Sequence, residues 1–230
     1  MASAQAYEQP TINRAWDDFI AHISTILLIW VAFIALSLLG GLAYFVFSLV
    51  GGVTGSGLSG GSIDASTLFA MLFGYLGQLP FVIISSLISV LFVAVPAMYY
   101  NSGEIVTINA SLNTLLRRPS RYLLAGILFS VATSIGFILC VLPGIAIALI
   151  MPVYVNRIFA SDQTILEAFS GSFQAVYNSP KGLDFVGIQI LAGLLTAIVS
   201  ICTCGLGSFI ALPVCTFYIQ NAAYNKGIIS

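Results

Sequence analysis

Four long runs of this chain carry no Lys, Arg, Asp or Glu: residues 19–63, 65–103, 122–156 and 185–225. A helix needs about 20 predominantly apolar residues to cross a bilayer, so four runs of this length must be divided into more than four crossings. The first run predicts one crossing, about Ile23 to Val50, followed by a flexible loop that opens with Gly51-Gly52-Val53-Thr54-Gly55-Ser56-Gly57 and continues in Gly and Ser. The second predicts one long helix, about Thr67 to Tyr100, which contains Pro80 and Pro96 and must tilt, kink at Pro80 or project from the membrane. The third run divides at Leu142-Pro143-Gly144, because proline and glycine together break a helix, and the fourth divides at Gly205-Leu206-Gly207. The pattern thus predicts an all-α polytopic membrane protein: six transmembrane helices arranged as three hairpins.

Between these runs lie segments too short and polar to span, yet with apolar residues at helical spacing. In 104–118, Ile105, Ile108, Leu112 and Leu115 share a face, with Asn109, Asn113, Arg117 and Arg118 opposite. In 161–177 the stripe is Ile165, Phe169, Phe173 and Val176. Both read as amphipathic helices lying on the membrane surface. Asn101 with Glu104, and Thr164 with Glu167, have the spacing of helix-start signals.

The polar segments also resemble one another. Thr11-Ile12-Asn13-Arg14-Ala15-Trp16, Thr107-Ile108-Asn109-Ala110-Ser111-Leu112 and Thr164-Ile165-Leu166-Glu167-Ala168-Phe169 each place a large apolar residue five positions after the threonine. The helices that return carry matching prolines, Pro96, Pro152 and Pro213, spaced 56 and 61 residues apart. A single transmembrane domain over 1–230 is expected, built from repeat units 11–101, 104–158 and 161–225. Their common orientation implies a pseudo-threefold axis along the membrane normal.

Charge orients the protein. All seven Lys and Arg residues fall on one side of the six-crossing arrangement: Arg14, Arg117, Arg118, Arg121, Arg157, Lys181 and Lys226. Both termini are therefore expected in the cytoplasm, and the chain in a bacterial cytoplasmic membrane or an internal membrane continuous with it. The apolar run after the polar first 18 residues is about twice the length of a signal-peptide core, so it is expected to remain in the mature protein. At 59% hydrophobic and 7% charged residues, against roughly 25% charged in soluble domains, composition agrees with the membrane reading and implies no nucleic-acid partner.

Candidate chemistry is sparse. His22 is the only histidine, which excludes a multi-histidine metal site, and it is expected at the membrane interface. Cys140, Cys202, Cys204 and Cys215 read as small apolar helix residues; the alternative is a bond from Cys140 to Cys202 or Cys204 on an oxidising outer face. Gln78 is expected to bond a neighbouring helix, and Tyr99, Tyr100, Tyr154 and Tyr218 to form an aromatic belt. Gly40, Gly41, Gly74, Gly77 and Gly193 are expected to let helices approach closely. No catalytic residue, metal ligand or cofactor is assigned. The residues expected to meet the lipid interface are Leu112, Arg117, Arg118, Arg121, Phe169 and Lys181, with anionic headgroups attracted to the basic ones.

From about residue 120 onward the chain resembles a broad group of uncharacterised bacterial six-helix membrane proteins. The group includes the membrane domain attached to some glycerophosphodiester phosphodiesterases. The resemblance rests on Leu142-Pro143-Gly144-Ile145, on Glu167-Ala168-Phe169-Ser170-Gly171-Ser172-Phe173 and on Ala222-Ala223-Tyr224. It implies the polytopic fold and is nearly silent on activity. Ser170-Gly171 stands where the group often has basic residues, and these 230 residues hold no soluble phosphodiesterase stretch, so that activity is not carried over. The reading is a non-enzymatic membrane protein, an accessory subunit of a larger assembly or a membrane-organising factor, with lipids and other membrane proteins as partners. The alternative is a channel or carrier for a neutral or lipidic solute.

Overall fold

A computed structural model describes residues 3–58 and 63–229; the remainder of the expected glycine and serine loop, residues 59–62, lies outside them. The described residues are helical and contain no strand. A short 3-10 helix, Ala4–Tyr7, is followed by α1 (Ile12–Ala21), α2 (Ile23–Leu58), α3 (Ile63–Ser102), α4 (Ile108–Arg117) and α5 (Pro119–Leu139). Then come α6 (Val141–Leu149), α7 (Met151–Ala160), α8 (Ile165–Tyr177), α9 (Gly182–Cys202) and α10 (Ser208–Asn225). Among the described residues, five helical stretches are long and apolar enough to cross a membrane: α2, α3, α5, Val141–Ala160 and α9. The chain is therefore a polytopic helical membrane protein. Helix α10 falls short of that measure, since its last turns carry Gln220, Asn221 and Asn225.

Two compact units form, Leu28–Ser89 and Met1–Leu27 with Val90–Ser230. In the first, helix replaces the loop expected at Gly51–Gly57: α2 runs on to Leu58. Small residues there serve packing instead of flexibility. A Cβ on Gly51 would strike the backbone carbonyl of Phe69 on α3, and one on Gly55 would lie 2.8 Å from the Ser66 Cα. Gly74 and Gly77 are also crowded, by Tyr44 and Phe47, and Gly40 less so, with the Phe81 Cβ at 3.1 Å, whereas Gly41 faces open space and so carries no close approach. The stem of Gln78 packs near Gly40, and α3 continues through Pro80 without a break. Gly51→Ala is expected to destabilise this unit by about 1–3 kcal/mol, because a backbone carbonyl cannot swing aside. Gly52→Ala meets only the Ala70 Cβ at 3.7 Å and should be neutral or better, since alanine suits a helix interior. Thermal unfolding of both variants in one detergent checks this, and equal midpoints would refute the close approach.

In the second unit the break expected at Leu142-Pro143-Gly144 falls instead at Cys140, whose backbone is extended (φ −172°, ψ 154°). Pro143 lies in the first turn of α6, where a missing N–H costs nothing because that turn has no intrahelical acceptor to give it. Gly144 then serves the crossing of α5 and α6: a Cβ on Gly136 would sit 2.9 Å from the Gly144 Cα. A second interruption at Ile150 lets α7 begin at Met151, with Pro152 in its first turn. Pro96 and Pro213, by contrast, lie inside α3 and α10, so the three prolines are not in equivalent local settings. The turn at Gly205 is as the spacing predicts, with Cys204 (φ 51°) and Gly205 (φ 90°) both left-handed. Gly193 meets open space. All four cysteines are free thiols, three of them exposed.

Candidate functional site

The short helices α1, α4 and α8 start alike. Thr11, Thr107 and Thr164 are their N-caps, each hydroxyl accepting the backbone N–H three residues on, from Arg14, Ala110 and Glu167, at 3.3 Å. Only Thr164 completes the capping box, its N–H donating to Glu167 Oε2 at 2.9 Å. These bonds hold the Glu167 carboxyl below the usual carboxylate range. Asn101, expected to open α4, belongs instead to the last turn of α3; residues 103–107 are not helical and leave Ile105 exposed. Four and eight residues after each threonine stand Ala15 and Phe19, Ser111 and Leu115, Ala168 and Ser172, all buried. The buried stripe is thus centred one position before the large residues Leu112 and Phe169, which are half-buried, because small side chains bring the helices closest.

The six residues expected at the lipid interface divide. Phe169 packs edge-on against Tyr154, ring centres 5.7 Å apart, and also against Phe173. Arg118 forms an ion pair with Asp162 at 2.6 Å, and Arg121 donates to the carbonyls of Ser161 at 2.8 Å and Ile158 at 3.4 Å. Arg121 therefore caps the end of α7 instead of reaching freely toward headgroups. Arg117 and Lys181 are exposed. The structure brings Arg118 and Arg121 together around the α7 terminus and links neither to Lys181 at the start of α9.

The densest polar site is one that sequence reasoning missed. Asp18, near the end of α1, is buried, and both carboxyl oxygens are occupied: Tyr99 Oη donates to Oδ1 at 2.9 Å and Tyr100 Oη to Oδ2 at 2.5 Å. Tyr99 Oη also stands 3.0 Å from Gln5 Oε1, so its one hydroxyl proton is shared between the Asp18 and Gln5 oxygens. His22 follows one turn after Asp18 and is fully enclosed, its ring against Tyr99 and Phe217. The side chain is enclosed by protein at the junction of α1 and α2. Its Nε2 accepts the Val106 N–H at 3.1 Å, so that nitrogen is unprotonated, and Nδ1–H donates to the Asp18 carbonyl at 2.7 Å. Thr25 donates to the Val106 carbonyl at 2.9 Å. Both backbone polar groups of Val106, in the α3–α4 connector, are thereby clamped by side chains from the α1–α2 junction and from α2. Burial lowers the His22 pKa below 6.5, against the raising effects of the Asp18 carbonyl bond and the Asp18 charge.

A second network joins α7 to α10. Asn156 donates to Tyr224 Oη at 2.9 Å, and Gln220 donates to the carbonyl of Pro152 at 2.8 Å. Asn221 donates to the carbonyls of Ala6 and Glu8, and Ser3 donates to the Tyr100 carbonyl, tying the N-terminal segment down. Tyr99, Tyr100 and Tyr154 are therefore interior residues and not a lipid-facing belt. The signal that could have exposed these sites is positional: Tyr100 and Asn156 each stand four residues after a helix proline, and Asp18 four before His22. Comparisons with family models, curated proteins and solved structures give no match.

Proposed function

We propose that this chain is a non-enzymatic integral membrane protein, an accessory subunit of a larger assembly or a membrane-organising factor. The observation that carries the reading is how little of its spans the chain itself covers. Only 17% of the apolar stretch is buried in α2, in α5 and in α9. Leu191, Ile201, Leu38 and Leu42 are among the large apolar side chains turned outward, available to lipid or to partner helices. The buried polar groups Asp18, His22, Asn156 and Gln220 meanwhile find partners in tyrosine hydroxyls or the backbone, which is the chemistry of a lock and not of turnover.

In this reading α10 is a sixth crossing, the helices form three hairpins related by a pseudo-threefold repeat, and both termini face the cytoplasm of a bacterium. The repeat is supported by the three threonine caps and their matching buried positions. One-sided placement of the basic residues is supported by ion pairs that join helix starts to helix ends, Arg118 of the α5 start with Asp162 after α7 and Lys226 after α10 with Asp184 of α9. Purification in mild detergent, with identification of co-purifying proteins and lipids, tests the function: a monodisperse chain that retains no partner removes the subunit reading. Labelling of Ser120→Cys from outside the cell would overturn the orientation.

A carrier for a neutral solute is the second reading, favoured by Gln189. This residue lies buried in the α9 span with its amide nitrogen unpartnered among the described residues. Gln189→Leu should raise stability if the site is only packing, and should abolish solute uptake by vesicles if it lines a path.

A further inference from the structure

The last turn of the Val141–Ala160 span carries Arg157. Its side chain is half-buried and its Nη1 end abuts α8 at Gly171: a Cβ on Gly171 would collide with Nη1 and stand 3.4 Å from Cζ. No side-chain acceptor reaches this guanidinium among the described residues. The helices packed against α7 are α5, α6, α8 and α10, and among their described residues the only carboxylate is Glu167, exposed and held by the Thr164 cap. Asp162, just beyond α7, is taken by Arg118. Arg121 adds a second cation at the same turn, with its Nη2 committed to backbone carbonyls. A planar fork of donors, partly withdrawn from water and lacking an anion, has the geometry for two oxygens of one phosphate.

We propose that Arg157, bedded on Gly171, is a binding site for the phosphate of an anionic lipid headgroup. The proposal rests on the reading that the α7 terminus meets the headgroup layer. At the end of an apolar span the anion present at high local concentration is the lipid phosphodiester, and the excess of positive charge around Arg121 and Arg157 selects headgroups that carry no compensating ammonium. Gly171 gives the site its shape, because any side chain there displaces the guanidinium without changing charge.

The test uses the full chain in a neutral detergent, titrated with short-chain phosphatidylglycerol, phosphatidylcholine or inorganic phosphate, with thermal midpoint and lipid-bound species in native mass spectrometry as readouts. Phosphatidylglycerol should raise the wild-type midpoint saturably, and half-saturation should need about fivefold more lipid in Arg157→Gln, the equivalent of about 1 kcal/mol for one basic group at the surface. Gly171→Ala should lose as much as Arg157→Gln, and Lys226→Gln, which removes a charge already paired with Asp184, should change half-saturation less than twofold. Should Gly171→Ala fail to fold, Arg157→Lys, which keeps the charge but not the fork, is expected to fall between wild type and Arg157→Gln. An equal response to inorganic phosphate, an equal response to phosphatidylcholine, equal losses in Lys226→Gln, or no response at all would each overturn the assignment. A saturable lipid response in a chain that co-purifies with no protein would remove the subunit reading and leave the site standing; an intact protein complex with no lipid response would remove the site alone.

Discussion

His22→Phe is expected to destabilise the larger unit by about 1–3 kcal/mol for each buried polar group it leaves unpaired, and to remove an acid-sensitive step from the stability profile. Phenylalanine keeps a ring beside Tyr99 and Phe217, so packing is largely retained. Two bonds are lost: the Val106 N–H no longer has Nε2, and the Asp18 carbonyl no longer has Nδ1–H. The proton side follows from the same geometry. A second proton on the ring would place an N–H against the Val106 N–H and break the clamp on the connector.

The folded-state pKa of His22 lies below 6.5, so the unfolded chain takes up its proton first as the pH falls. Stability should therefore be complete above pH 6.5 and decline as the pH drops from there through the folded value. Groups facing His22 are the Asp18 carboxyl on α1 and the Tyr99 and Tyr100 phenols on α3, with Arg14 one turn earlier on α1; Phe217 of α10 and Val106 contribute no charge. The exposed Glu167, held below 4.5, loses its contribution only in more acidic solution, so the two windows are separate. Thermal midpoints between about pH 5 and pH 8 provide the check, the range in which an ordinary histidine titrates. A His22→Phe variant as acid-sensitive as the wild type would show that another group governs this window.

Hydrophobic blocks reveal where a chain can cross a membrane, because length and polarity set that limit residue by residue. The Thr164 capping box and the Gly205 turn were equally legible, since each depends on local geometry. What failed depended on partners distant in sequence. Gly51 through Gly57 have the composition of a linker, yet they are helical because Phe69 and Ser66 of α3 approach there. Pro143 and Gly144 look like a hairpin turn, but the chain bends at Cys140 and uses Gly144 for contact with α5. The polar site was hidden for the same reason: Asp18 and Tyr100 are 82 residues apart, and Asn221 and Ala6 are 215 apart. Of the six expected interface residues, Arg121 was claimed by the end of α7, a use that no surface pattern reveals.

Tyr100→Phe should cost more than Tyr224→Phe, although both remove one buried hydroxyl from the same unit. Tyr100 donates to Asp18 Oδ2, and hydrogen bonds to charged groups contribute about 1.5–3 kcal/mol against about 0.5–1.5 for neutral ones. Tyr224 only accepts from Asn156, which retains Gln220 Oε1 at 3.5 Å as a second acceptor. Asp18 has no such reserve, because Tyr99 already serves its other oxygen. If the Tyr100 effect acts through the Asp18 charge, it must shrink when that charge is removed. In a cycle with Asp18→Asn, the Tyr100→Phe loss should therefore fall by at least about 1 kcal/mol, which is within the range of coupling seen between contacting polar groups. Thermal or denaturant unfolding of the four proteins in one detergent measures it. Additive losses would mean that Tyr100 stabilises the unit by packing against Phe217 and Tyr224 alone, and that the Asp18 carboxyl is not what holds α3 to α1.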